Sequence, residues 1–200
     1  MQRNFPGALD CYLRAVQLHE GNMAAQFNLG KVYFHNEAFQ QAEPCFEVVV
    51  NNPRHKDCYE ALRLLAQTKG VLGKTDESVA LFKRVLQLCP RDFEANIEIA
   101  QNYEQTDPKL ALVYYESALK AATAEAEDRD MPLESILAPE IFVNLGTLRL
   151  EVGKFQEAHQ AFEQAISSCD RQIASLEGEE RTRLTAVRMT ARFNLAYWNE

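Results

Sequence analysis

The sequence has little of what a metal site, a disulfide framework or a membrane span requires. Its five cysteines are scattered and form no Cys-x-x-Cys pair, which excludes the common zinc and disulfide frameworks. No stretch approaches the roughly eighteen apolar residues of a membrane-spanning helix, and the first residues lack the apolar core of a signal peptide. We therefore expect a protein of the cytosol or nucleus that binds no metal, cofactor or membrane.

Basic residues are also in deficit. The chain has 21 lysines and arginines against 29 aspartates and glutamates, which gives a formal net charge of −8. A chain of this sign repels the phosphates of nucleic acids. We therefore expect no direct binding to nucleic acid, and protein partners instead.

The motifs that carry catalysis are missing as well. The histidines form no His-Glu-x-x-His pair, and the sequence has neither a Gly-x-Ser-x-Gly motif nor a phosphate-binding glycine loop. A nucleophile assembled through space, such as Cys45 with His35, is an open alternative, although cysteines at repeat positions usually only pack. We expect a protein without enzymatic activity.

What the sequence does contain is internal repetition. Phe27-Asn-Leu-Gly-Lys-Val-Tyr33 is similar to Phe142-Val-Asn-Leu-Gly-Thr-Leu148. A second stripe places an aromatic residue four positions after an alanine and a small or aliphatic residue three positions later. Its copies are Ala8, Tyr12 and Ala15, then Ala42, Phe46 and Val49, then Ala158, Phe162 and Ala165. Such a stripe lies on one face of a helix, and the first two copies are 34 residues apart.

This period and pattern are typical of the tetratricopeptide repeat (TPR), a pair of antiparallel helices. The sequence thus predicts an all-α chain, a right-handed superhelical TPR solenoid forming one array over residues 1–200. The predicted layout is a half repeat at 1–22, repeats near 23–56, 59–92, 93–125 and 139–172, insertions at 126–138 and 173–188, and an incomplete repeat at 189–200. Because solenoids usually close with capping repeats, we expect a piece of a longer array.

Three individual positions carry expectations of their own. Pro44 should lie in the first turn of a second helix, where a missing N–H costs little. Cys11 and Cys45 share one repeat position and should both be small buried packing residues. Lys69 stands where the repeat usually has an aromatic residue.

The first helix of each pair should line the concave face of the array and bind partner proteins there. Its inward positions are Phe27, Asn28, Lys31 and Phe34, then Arg63 and Gln67, then Ile97 and Gln101, then Val143, Asn144 and Thr147. Apolar residues would anchor a partner segment, and amides would bond to its backbone. Asn28 and Asn144 share one position, where they either bind a ligand or are solvated, so neither should matter much to folding.

One stretch also resembles a particular family. The segment Glu94-Ala-Asn-Ile-Glu-Ile-Ala-Gln-Asn-Tyr-Glu-Gln-Thr-Asp107, with its shortened turn and the long helix that follows, looks like the TPR scaffold subunit of the RNA polymerase II-associated factor (PAF) complex. The resemblance implies a nuclear protein that holds other PAF subunits and, through them, RNA polymerase II. It also implies a role in transcription elongation and co-transcriptional histone modification. An adaptor or co-chaperone of another assembly is the alternative, although Glu94 and Glu98 stand where a chaperone clamp needs cations.

Overall fold

The computed structural model describes residues 5–19, 21–174 and 176–197, and most of these residues are helical. The helices in the described part are α1 (Phe5–Leu18), α2 (Met23–His35), α3 (Phe39–Asn51), α4 (Tyr59–Val71), α5 (Thr75–Leu88), α6 (Phe93–Tyr103), α7 (Pro108–Asp128), α8 (Pro139–Glu151), α9 (Phe155–Ile173) and α10 (Gly178–Tyr197). A 3-10 turn at Leu133–Ser135 precedes α8. Parts of the predicted segments 1–22, 173–188 and 189–200 lie outside the described residues, at 1–4, 20, 175 and 198–200.

The chain divides into two compact units, Met1–Pro90 and Arg91–Glu200. The first unit contains α1 to α5 and the second contains α6 to α10. Within each unit every helix packs against the next one in the chain, and the most extensive contacts join α2 to α3, α4 to α5, α6 to α7 and α8 to α9. The predicted all-α class and its helix pairs are confirmed.

The pairs are held together by close contact between a small residue and an aromatic ring. A Cβ carbon added to Gly30 would lie 2.7 Å from Cε1 of Phe46, and one added to Gly146 would lie 2.6 Å from Cε1 of Phe162. Both phenylalanine rings are buried. Ala66 and Ala100 take the same place in α4 and α6 and are also buried. The first helix therefore presents a small residue wherever the second helix approaches it most closely.

The connections follow from local backbone chemistry. Gly73 and Gly153 follow α4 and α8 with φ of +77° and +81°, a conformation that glycine adopts without steric cost. Glu37 takes the same conformation after α2, with φ of 59°. At the shortened turn, an Asp107 side-chain oxygen accepts a hydrogen bond from the Leu110 N–H at 3.1 Å, and Pro108 occupies the first turn of α7.

Two expectations about the second helices and the cysteines were wrong. Pro44 lies within α3 rather than in its first turn. Because proline has no N–H, the Gln40 carbonyl loses its helical hydrogen bond. The helix tolerates this because Gln40 and Pro44 are both exposed to water. Cys11 is exposed, whereas Cys45 is buried as expected. The shared repeat position therefore does not give the two cysteines the same surroundings.

The glycine contact yields a first prediction. We expect Gly146→Ala to lower the free energy of unfolding by about 1–2 kcal/mol, because forcing a methyl group against the buried Phe162 ring outweighs the roughly 1 kcal/mol that alanine gains in helix propensity. Gly70→Ala is the matched control, since its Cβ would lie 3.3 Å from the Ser78 hydroxyl oxygen at an exposed position in α4. Urea unfolding measures both variants, and equal effects would contradict the contact.

Candidate partner-binding face

The predicted residues of the first unit divide between packing and surface roles. Phe27 and Phe34 are half-buried, with ring centroids 6.0 Å and 6.4 Å from that of Phe46. Lys31 places its Nζ 5.3 Å from the Phe27 ring centroid and 2.7 Å from an oxygen of Glu60. Because Glu60 lies on α4, the Lys31 ion pair joins two successive first helices.

The remaining predicted residues of this unit lie along the same two helices. Asn28 is partly exposed in α2, and Arg63 and Gln67 are partly exposed in α4. These three side chains add polar groups to the surfaces of α2 and α4. The inner positions of the first unit therefore form a mixed surface whose aromatic part is already committed to packing.

In the second unit only part of the predicted set is open to a partner. Gln101 and Thr147 are exposed, and the Thr147 hydroxyl donates to the Val143 carbonyl at 3.0 Å. Ile97 is half-buried against the core. Val143 is only 8% exposed and belongs to a core cluster with Phe162 of α9 and Ala191 of α10. The expectation that Val143 is a free apolar anchor is therefore wrong, because α10 contributes to the layer that covers it.

Asn144 takes part in a partly buried hydrogen-bond network. Its Nδ2 donates to an oxygen of Glu104 at 2.9 Å and to the Tyr115 hydroxyl at 3.1 Å. The Tyr115 hydroxyl in turn donates to the same Glu104 oxygen. Burial, reinforced by the Glu104 carboxylate, raises the pKa of Tyr115, so the hydroxyl keeps its proton and remains a donor.

This network overturns the expectation that Asn144 is free or solvated. Its amide ties α8 to α7 and to the residue that follows α6, so a ligand could use it only by breaking those bonds. Sequence reasoning missed Glu104 and Tyr115 as its partners. The one available signal was that Tyr115 stands at the aromatic position of its repeat, which predicts that its ring is buried. A buried tyrosine hydroxyl needs a hydrogen-bond partner.

The α6 part of the face is acidic. Glu98 is half-buried, and burial raises its pKa, with a smaller contribution from the neighbouring carboxylate of Glu94. Exposed Gln101 lies about one helical turn further along the same helix. A positive group brought close to Glu98 would favour its charged form, so this part of the face suits basic ligands better than acidic ones.

The surroundings of Cys45 argue against the Cys45–His35 alternative. Cys45 is buried, and its sulfur donates to the Gln41 carbonyl at 3.4 Å. Burial raises the pKa of its thiol, which makes it a poor nucleophile.

In the described ranges, none of the helices combines the length and the apolar character needed to cross a membrane.

Fold and sequence together define a chain of helix pairs of the tetratricopeptide-repeat type. Two segments match models of the tetratricopeptide repeat, residues 2–54 and 139–170. The solved structure of MamA is similar with a TM-score of 0.68 at 16% identity, covering 84% of this chain and 91% of MamA. YrrB, a TPR protein with an unusual peptide-binding site, has a TM-score of 0.63 at 17% identity, covering 82% of this chain and 77% of YrrB.

Among individual relatives, the RNA polymerase-associated protein CTR9 of Caenorhabditis elegans is 29% identical over 216 residues, which covers 98% of this chain and 18% of that protein. Tetratricopeptide repeat protein 8 of the same organism is 28% identical over 127 residues, covering 52% of this chain and 25% of that protein. Microtubule-associated protein 70-1 of Arabidopsis thaliana is 33% identical over 122 residues, covering 60% of this chain and 18% of that protein. The chain thus spans about a fifth of the length of these relatives.

The two equivalent asparagines should differ in their effect on folding. We expect Asn144→Ala to cost about 1–3 kcal/mol of stability, because it leaves Glu104 and the buried Tyr115 hydroxyl short of a donor. Asn28→Ala, at the same repeat position, should stay within about 0.5 kcal/mol of the parent protein. Urea unfolding of the two single variants makes the comparison. If both changes are neutral, the network contributes nothing to stability.

Proposed function

We propose that this chain is part of a scaffold that organises the PAF complex on RNA polymerase II. It would act in the nucleus, in transcription elongation and co-transcriptional histone modification. The observation that supports this most is the similarity to the RNA polymerase-associated protein CTR9, which runs over 98% of the chain. The Glu94–Asp107 stretch, with its shortened turn, supports the same assignment.

In this proposal the chain contributes binding and no chemistry. Partner segments lie against the inner positions of the first helices, where Asn28 and Lys31 in the first unit and Gln101 and Thr147 in the second leave polar groups accessible. Half-buried Ile97 adds apolar contact. Because Glu98 carries a carboxylate and the whole chain is acidic, segments that carry lysine or arginine associate fastest, and added salt slows their association.

The single array of four repeats remains our prediction.

Purification of the natural protein from its own cells tests the assembly. We expect an affinity-tagged copy to bring down RNA polymerase II and several further subunits at comparable amounts, as identified by mass spectrometry. Recovery of a chaperone without polymerase would instead support the co-chaperone alternative. Recovery of microtubules or another unrelated assembly would likewise contradict the PAF assignment.

A paired substitution tests the face. We expect Gln101→Arg combined with Thr147→Arg to lower the recovery of partner subunits by about tenfold, since two bulky cations would block the exposed positions and repel basic segments. Both positions are exposed in the second halves of first helices, so stability should change by less than about 0.5 kcal/mol. Quantitative mass spectrometry of the purified assembly gives the recovery.

The second helices offer a matched control. Ser117 and Gln164 share one repeat position on α7 and α9, and both are exposed. Ser117→Arg combined with Gln164→Arg adds the same charge as the test pair. Each pair also removes one hydrogen bond from a hydroxyl group to a helix carbonyl, which in the control is the bond from Ser117 to Val113 at 2.9 Å. The control should keep recovery within about twofold. Equal recovery from both double variants would show that partners do not use this face, whether or not polymerase is present.

A further inference from the structure

Lys69 occupies the aromatic position of its repeat and is almost completely buried there. Its side chain is 6% exposed, and its Nζ lies 2.8 Å from Glu43, 2.8 Å from Glu47 and 2.6 Å from Glu77. Glu43 and Glu47 belong to α3, and Glu77 belongs to α5. A single ammonium group on α4 therefore holds the second helix of the preceding pair and the second helix of its own pair.

The second unit repeats this arrangement at equivalent positions. Arg149 of α8 is 12% exposed, and its Nε lies 3.8 Å from Glu116 of α7 and 3.6 Å from Glu157 of α9. These are ion-pair contacts beyond hydrogen-bond length, and among the described residues the buried Nε has no hydrogen-bond partner. Its Nη1 also donates to the Glu157 carbonyl at 3.2 Å. An accessory lysine recurs too, because Lys74 pairs with Glu43 at 2.7 Å and Lys154 pairs with Glu116 at 2.9 Å.

The repetition is visible in the numbering. Three positions of the first cluster, Lys69, Lys74 and Glu77, have counterparts 80 positions later in Arg149, Lys154 and Glu157. The same position carries Tyr33 in α2 and Tyr103 in α6. Tyr103 stacks on Tyr114 of α7 with centroids 6.3 Å apart. Aromatic and cationic residues thus alternate along the first helices α2, α4, α6 and α8.

A buried cation has a cost that only correct packing offsets. Burial alone would lower the pKa of Lys69, but the hydrogen bonds to Glu43, Glu47 and Glu77 raise it above its usual range. If α4 and α5 were seated differently on α3, the ammonium would be left buried without its carboxylates, a state that strongly destabilises the fold. An aromatic side chain at the same position would tolerate small displacements, because dispersion and burial have no such directionality.

We propose that Lys69 and Arg149 are seating residues, each of which fixes one helix pair on the next through glutamates from both flanking second helices. The Lys69 cluster sets the seating of α4 and α5 on α3, and the Arg149 cluster sets that of α8 and α9 on α7. The Lys69 cluster is the tighter of the two, because its ion-pair distances are shorter.

Amide hydrogen exchange on the whole chain tests the proposal. We expect Lys69→Met to accelerate exchange at least tenfold in α3, α4 and α5 while α7, α8 and α9 keep their rates. Arg149→Met should do the reverse, with a smaller factor. Lys69→Arg should restore slow exchange, because it preserves the charge and copies the residue found at the equivalent position of α8.

Two further measurements keep the test decisive if Lys69→Met does not fold. Lys69→Tyr installs the residue of α2 and α6, and unchanged exchange in that variant would overturn the proposal by showing that any large side chain suffices. A double-mutant cycle of Lys69→Tyr with Glu43→Gln should give a coupling of about tenfold or more in the unfolding equilibrium constant. The control cycle uses the ion pair of Lys31 with Glu60, which joins two helices at a similar distance but is more exposed. This pair should change the unfolding equilibrium constant by a coupling of only about twofold. Equal coupling in both cycles would also overturn the proposal.

Discussion

The close approach of a small residue on one helix to an aromatic ring on the next determines the geometry on which the other features depend. Gly30 against Phe46 and Gly146 against Phe162 leave no room for even a Cβ carbon. Because the aromatic ring of the second helix packs directly on the glycine of the first, the two helices of a pair cannot slide or rotate without a clash. This fixed pairing orients the inner positions of the first helices and holds the buried polar groups against their partners.

Much of this pairing could be predicted, because a helical stripe of small and aromatic residues specifies which face is buried. The predicted starts of the four repeats, at Met23, Tyr59, Phe93 and Pro139, are where α2, α4, α6 and α8 begin. Individual partners could not be predicted in the same way. Asn144 bonds to groups 40 and 29 residues earlier in the chain, and periodicity contains no information about such distant neighbours. Val143 was misjudged for the same reason, since its cover includes α10.

The polar residues near the first helices therefore have two roles that sequence alone does not separate. Asn144, Lys69 and Arg149 hold helices together, and removing them should loosen the scaffold. Gln101 and Thr147 remain exposed and contribute little to folding. A binding surface supported by satisfied buried groups needs little reordering when a partner arrives, which favours affinity. The proposed scaffold role depends on this division between seating residues and open residues.

The most direct test of the central claim is site-specific photo-crosslinking within the natural complex. A photoreactive amino acid placed at Gln101 lies on a first helix, and one placed at Ser117 lies on the exposed side of a second helix. The account predicts crosslinks from Gln101 to another subunit of an RNA polymerase II-associated assembly and few from Ser117. Crosslinks to such subunits from Ser117 alone would contradict it.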